Sequence, residues 1–356
     1  MRENTQNRSD MNRQQERSIA NDYLKSLSTK VMRITLLKGG LIHKTFLVEA
    51  MNGESYVLQG MNTQVFKNPN LIVLNQQNIA RFLAEKKYPK FSLELLSNAQ
   101  QNYLLQDTKG QTWRMFKAIT PSKSMEVLTH PKQAFEAAKA LSEFHAFLRE
   151  YPAEEIQASI PGFLDFKNRL TYYQHAKEAG IPYRKTQARS WMEKVTRYQS
   201  VLDDYFHIEP FLPIRVIHAD PKLSNFLFDA NGKKVLALID WDTIMAGSIL
   251  YDIGDMIRSF CQVGAEDSEH QTSFFQAEIL KEILTGYVHG PMNDHLTDVE
   301  RAHFLLGAKA VILIQGIRFL SDYLLGDLYY WVEDETHNLR RAKNQFKMLE
   351  ELMDLE

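Results

Sequence analysis

Between residues 31 and 60 apolar and polar positions alternate. The stretch VMRITLLKGGLIHKTFLVEA is followed by the turn MNGE and then SYVLQGM. A period of two predicts three strands, the first two joined by a Gly-rich turn. NPNLIVLNQQNIARFLAEKKYP (68–89) switches to helical spacing. Asn68 can cap, Pro69 suits the first helical position, and Leu71, Leu74, Ile79, Phe82 and Leu83 suit a helix with one buried face. FSLELLS and NYLLQD read as two more strands, and TWRMFKAIT (112–120) as another, ended by Pro121.

After Pro121 the spacing is mostly helical. Gln133–Arg149 carries Phe135, Leu141, Phe144, His145 and Leu148 near one stripe, and 166–206 predicts a long helix or a pair broken at GIP (180–182). RVIHAD to ALIDWD (215–242) is a short block of strands and loops. From Gln271 onward nearly everything is helical: Thr297-Asp-Val-Glu300 is a capping box, and HNLRRAKNQFKMLEELMDL is amphipathic. FLLGAKAVILI (304–314) is short and interrupted by Lys309, so it reads as a buried helix and not as a membrane span. The expected fold class is α+β in two lobes. A small antiparallel β-rich N-lobe covers 30–119, a hinge lies near 117–122, a larger mainly helical C-lobe covers 120–356, and 1–29 form a flexible tail.

Composition narrows the function classes. The chain has 356 residues, enough for two lobes with real cores, and its 44% hydrophobic and 24% charged content is ordinary for a globular protein. A net charge of −2 gives no general attraction to nucleic acid or anionic lipid, so neither is expected as a partner. A single cysteine, Cys261, excludes an internal disulfide and any multi-cysteine metal site. No apolar leader is visible in the first thirty residues, so a cytoplasmic location is expected.

The chemistry concentrates in VIHADPKLSNFLFD (216–229). RVI and NFLF are apolar, β-prone anchors, so polar residues 218–225 form a loop beside the core. VLALI (235–239) follows an NG turn and ends in Asp240, which brings Asp220, Asn225 and Asp240 to one edge of a hairpin. Three oxygen-bearing side chains there can hold Mg²⁺. Lys222 projects to the same side as a point charge for a phosphate. Asp242 is either an extra metal or substrate contact or a loop cap. Four residues in this order should arise by chance in roughly one chain of this length in a thousand, so a polar turn of no consequence is the weaker reading.

The order His218-x-Asp220-x-Lys222-x-x-Asn225, with Asp240 fifteen residues later, resembles the protein-kinase-like phosphotransferases. MAGSILYDIGD follows at once, with no long activation segment. That is similar to the aminoglycoside phosphotransferase and choline kinase family, which acts on small molecules. The resemblance implies a bilobal protein-kinase-like fold, with ATP and Mg as donor and metal. It also implies Asp220 as catalytic base, Lys222 on the γ-phosphate, and Asn225 and Asp240 (with Asp242) on magnesium. His218 and Asp252 would then brace the loop, Asp252 also capping the helix that YDIGD opens. Stretches such as GGLIHKTFLVE (39–49), YVLQGMNTQVFKNP (56–69) and GIRFLSDYLLGDLYY (316–330) resemble the N-acetylhexosamine 1-kinases. This implies phosphorylation of the anomeric hydroxyl of GlcNAc or GalNAc, with Arg318, Tyr329 and His43 meeting the sugar. A kinase of another small alcohol or amine, or an inactive nucleotide-binding protein, is the alternative.

On the nucleotide side, Gly39 and Gly40 would let backbone approach the phosphates, and Phe116, Lys117 and Ile119 fit a hinge that bonds the adenine edge. One departure stands out. Protein kinases place a lysine on the third strand, paired to a glutamate on the next helix. Here Gln59 holds the strand position, and residues 70–84 contain no acid. A neutral Gln needs no counter-ion, so the two absences agree; Lys44 or Lys67 is left to compensate.

Overall fold

The computed structural model describes residues 13–37, 42–268 and 272–355. It opens with a helix, α1 (Gln14–Leu24), inside the stretch expected to be a flexible tail. The correction has a simple cause. Ala20, Tyr23 and Leu24 are fully buried, with Ile19 packed beside them, and this narrow stripe was hidden by polar neighbours. The Tyr23 hydroxyl lies 2.9 Å from the carbonyls of both Tyr103 and Trp113. Residues 1–12 lie outside the described residues.

The expected strands follow: β1 (Val31–Leu36), β2 (Lys44–Ala50) and β3 (Ser55–Gly60), then α2 (Pro69–Glu85), the two-residue β4 (Leu95–Leu96) and β5 (Leu105–Gln106), and β6 (Thr112–Lys117). Asn68 caps α2 by accepting from the Leu71 N–H. The strands form one antiparallel sheet in the order β1-β2-β3-β6-β4, with β5 also on β6. Side chains alternate between its faces. Tyr56, Leu58, Trp113 and Met115 pack with α1 in the N-lobe core, whereas Val57, Gln59, Arg114 and Phe116 face a cavity below.

The C-lobe begins with α3 (Lys132–Leu148), α4 (Phe166–Ala179), α5 (Pro182–Gln187), α6 (Arg189–Arg197) and α7 (Gln199–Ile208). The stretch expected as one or two helices is thus four, broken at Ala188 and Tyr198 as well as at Gly180. β7 (Arg215–Ile217), β8 (Phe226–Phe228), β9 (Val235–Leu238) and β10 (Met245–Gly247) form two small sheets, β7 with β10 and β8 with β9. The chain closes with α8 (Ile249–Phe260), α9 (Ala277–Val288), α10 (Asp298–Ala302), α11 (Phe304–Leu325) and α12 (His337–Met353). The capping box forms at Thr297 and Glu300, and the buried Glu300 also receives Arg215 at 2.7 Å.

α11 has the length and mean hydropathy (1.6) of a membrane span, yet 72% of its apolar window is buried, packed by α4, α8 and α12. It is the axis of the C-lobe core. α8 crosses it at glycines: a Cβ on Gly254 would sit 2.7 Å from the Gly307 carbonyl oxygen, and one on Gly307 2.8 Å from that of Leu250. This close approach brings Asp252 and Asp255 on α8 and Arg318 on α11 into one half of the molecule.

Candidate active site

The loop from β7 to β8 is held from beneath. Ala219 has φ of 65°, a left-handed backbone that costs a non-glycine residue on the order of 1 kcal/mol. Asp252 holds it there by accepting the backbone N–H groups of His218 and Ala219, both at 2.7 Å. His145 Nε2 lies 2.9 Å from the same carboxylate, and its Nδ1 lies 2.8 Å from the Tyr287 hydroxyl. Asp252 does not cap α8, as the sequence suggested; Ser248 does, through the Leu250 N–H, because it is the residue with extended backbone at the helix start. His218 Nδ1 accepts from the Asp220 N–H at 3.3 Å, so Nε2 carries the proton and donates to the Ile239 carbonyl at 2.8 Å. This bond ties the loop to the residue before Asp240.

Asp220, Lys222 and Asn225 then meet. Lys222 Nζ is 2.6 Å from Asp220 Oδ2, and Asn225 Nδ2 donates to the Asp220 carbonyl at 2.8 Å and to Oδ2 at 3.2 Å. Burial works against the Lys222 ammonium, but the charges of Asp220 and Asp240 outweigh it and raise its pKa, so Lys222 stays charged at neutral pH. Asn225, having spent its amide nitrogen, presents its oxygen. Asp240, also left-handed at φ 65°, makes no side-chain hydrogen bond with any described residue. Both line the cavity between the lobes. Two hard oxygen donors at the polar end of this cavity fit Mg²⁺.

Asp242, two residues on, is engaged elsewhere. Arg114 Nη2 lies 2.7 Å from its Oδ1 and 2.9 Å from Oδ2, Gln76 Nε2 donates to Oδ1 at 2.9 Å, and His43 Nε2 lies 2.8 Å from Oδ2. Burial would push its pKa up; the Arg114 guanidinium and His43 more than reverse this and hold it at about 2. An Asp240 oxygen, an Asp242 oxygen and a His43 nitrogen lie within 4.8 Å of one another. Asp242, expected as an extra metal or substrate contact or a loop cap, is thus held by three side-chain donors. His43, expected to meet a sugar, is engaged as well. Its Nδ1 accepts from the Asn62 N–H at 3.1 Å, so with Nε2 on Asp242 neither ring nitrogen remains for a sugar.

The cavity has a volume of ≈ 230 Å³. Val57, Leu93, Leu227 and Ile239 give it apolar walls, Phe116, Lys117 and Ile119 its outer edge, and Gln59, Arg114, Lys222, Asn225 and Asp240 its polar end. At the hinge the Lys117 and Ala118 N–H groups are bonded to Glu94 and Ser55, which leaves that of Ile119. Gly39 and Gly40 lie outside the described residues. Lys44 pairs with Glu16 at 2.7 Å.

The model of a phosphotransferase enzyme family matches residues 33–279, more than half of the chain. The chain belongs to this family. The phosphotransferase shares its fold with an aminoglycoside phosphotransferase from Alicyclobacillus acidocaldarius (TM-score 0.62, 12% identity, 91% of this chain and 92% of that one). It is similar in the same way to the choline kinase LicA from Streptococcus pneumoniae (0.57, 15%, 94% and 98%). A third match is the amicoumacin kinase hAmiN, solved in complex with AMP-PNP, Ca²⁺ and Ami (0.60, 15%, 91% and 92%). The bilobal protein-kinase-like architecture expected from the sequence is thereby established.

Arg318 and Tyr329 of the phosphotransferase do not line the cavity. Arg318 lies with its guanidinium over the rings of Phe163 (5.5 Å) and Tyr330 (5.8 Å) and donates to Gln315 Oε1 at 2.9 Å. Tyr329 is exposed, edge-on to Tyr330. Tyr251 lies edge-on to Phe163; burial first, then Asp255 and Asp220, push its pKa up, while Arg318 pulls it down. Burial likewise raises the pKa of Asp255, with Arg258 opposing it and Asp220 adding to it. Sequence reasoning missed Arg114, Gln76, Tyr251 and Arg169. An arginine inside the apolar run TWRMF was the one available signal.

Proposed function

We propose that this phosphotransferase moves the terminal phosphoryl group of ATP to a hydroxyl of a small uncharged acceptor, the anomeric hydroxyl of an N-acetylhexosamine (GlcNAc or GalNAc) being the best fit. The observation that carries the reading is the Asp220 carboxylate, held on one oxygen by Lys222 and Asn225, two residues that line the cavity together with Asp240. Oδ2 is engaged; Oδ1 makes no hydrogen bond with any described residue and is the oxygen to take the hydroxyl proton. Lys222, charged and fixed by Asp220, meets the transferred phosphoryl group, and Asn225 Oδ1 with Asp240 would hold Mg²⁺. When bound, the ion neutralises phosphate charge and aligns the transfer. The protein's share is position and fixed charge.

Acceptor charge supports a sugar over an amine. Arg318 has no carboxylate partner among the described residues, and its charge helps depress the pKa of the half-buried Arg169, after burial itself. Arg169 Nε is buried without a hydrogen-bond partner. A cationic acceptor would meet two guanidiniums; a neutral polyol or acetamide gives them acceptor oxygens. The acidic WVEDETH stretch (331–337) does little against this, since Asp334 is bound by Arg340 at 2.8 and 2.9 Å. An ATP donor carries a cytoplasmic location with it.

The test is ADP release with a panel of GlcNAc, GalNAc, other hexoses, choline, homoserine and kanamycin, with the product identified by phosphorus NMR. Turnover of an N-acetylhexosamine to its 1-phosphate is expected. Turnover of choline or kanamycin alone would reverse the acceptor assignment. Nucleotide binding with no turnover of any acceptor would favour an inactive protein.

A further inference from the structure

A nucleotide triphosphate brings several negative charges under the N-lobe sheet, and fixed cations must meet them there. Neither position expected from the sequence supplies one. Gln59 is neutral, α2 turns Gln76 inward, and Lys44 is bound to Glu16. Among the described residues that line the cavity, the cations are Lys222, Lys117 and Arg114. Lys222 belongs to Asp220, and Lys117 is exposed beside Glu54 at 3.6 Å. Arg114 is 1% exposed, and on the central strand β6 it is the residue paired with Gln59 on β3.

Its guanidinium is organised by three elements. Nε and Nη2 donate to Gln59 Oε1 at 3.0 and 2.8 Å. Nη2 also binds Asp242. Gln76 bridges the ion pair, its amide nitrogen on Asp242 Oδ1 at 2.9 Å and its oxygen 3.5 Å from Arg114 Nη1. Gln59 donates its own amide to Thr45 Oγ1 at 3.3 Å, which fixes the oxygen toward Arg114. A lysine at 59 would set a second cation against the guanidinium, and a glutamate at 76 a second carboxylate against Asp242. The two glutamines are therefore the neutral partners that a relocated ion pair requires. Nη1, with a single long contact, is the guanidinium nitrogen with protons to spare.

We propose that Arg114 is the N-lobe cation that contacts the nucleotide's phosphates, and that Asp242, with Gln59 and Gln76, positions it. The charge pair that protein kinases put on the third strand and the next helix is carried here by β6 and the loop after Asp240. It also ties the sheet to that loop across the cleft. This rests on the nucleotide-binding reading above.

The experiment is calorimetric titration of the full chain with ADP and with adenosine, each in excess Mg²⁺, for wild type, R114M and R114M/D242N. The double variant avoids leaving a buried carboxylate unpaired. Both variants should lose ADP affinity by at least about tenfold and keep wild-type affinity for adenosine, because only the phosphate contact is gone. If R114M does not fold, the comparison is read on R114K, whose single ammonium cannot hold Gln59 and Asp242 and still reach a phosphate; the same selective loss is expected. Equal losses for ADP and adenosine would mean that Arg114 only shapes the cavity and would overturn the proposal, as would unchanged ADP affinity. Wild-type protein that binds neither ligand would overturn the kinase reading itself, and this proposal with it.

Discussion

The Asp252 carboxylate accepts the backbone N–H of Ala219 at 2.7 Å, across 33 residues of sequence, and holds the peptide before Asp220 in a left-handed turn. The loop's geometry is thus stored in α8. Asp252→Ala leaves two N–H groups and His145 without their acceptor in a fully buried place. Unfolding free energy should fall by about 3–5 kcal/mol, and kcat should fall more than nucleotide affinity. Urea denaturation and ADP titration check both; a variant as stable as wild type would remove Asp252 as the brace.

Asp242 makes stability depend on pH in a stated direction. Burial alone would raise its pKa, but Arg114 and His43 lower it from 3.8 to about 2. With the folded value below the unfolded one, its stabilisation is present above about pH 4 and fades as pH falls toward about 2. Asp242→Asn should therefore be less stable than wild type at neutral pH, with the gap narrowing over that acid window. Denaturation at a series of pH values tests this, and a constant gap would contradict it.

Arg318 packs over Phe163 and Tyr330, and it takes no part in the cavity wall. Arg318→Ala should raise the acceptor KM about tenfold to a hundredfold, the worth of a hydrogen bond to a charged group, with ADP affinity unchanged. Steady-state kinetics alongside ADP titration separates the two sites. Loss of ADP affinity instead would move Arg318 to the nucleotide side.

The metal has its own signature. Asp240→Ala should weaken ADP binding by about tenfold or more in Mg²⁺, because Asp240 is the carboxylate left free to hold the ion. In excess EDTA wild type and variant should bind ADP equally, and wild-type turnover should cease. A difference that persists in EDTA would assign Asp240 to direct contact with the nucleotide.

The strand alternation of 31–60, the Asn68 cap, the NG hairpin and the capping box at Thr297 were legible because each is decided by near neighbours in sequence. So was the spacing from His218 to Asp240, which one hairpin folds together. What stayed hidden was decided at a distance. α1 is amphipathic only along a narrow stripe, and it needs the sheet to give that stripe a purpose. His43 looked free on its strand, but Asp242, almost two hundred residues away, claims it. The neutral Gln59 was visible as a departure; that Arg114 stands in the same layer follows from the pairing of β3 with β6, which sequence does not state.

The most direct measurement is the turnover of Asp220→Asn with ATP, Mg²⁺ and the acceptor that wild type uses, alongside Mg-ADP titration of the same protein. The variant should bind Mg-ADP yet lose about 10²–10⁴-fold in kcat, the share of a positioned base. Turnover at the wild-type rate would show that the carboxylate between Lys222 and Asn225 is not the group that takes the acceptor's proton.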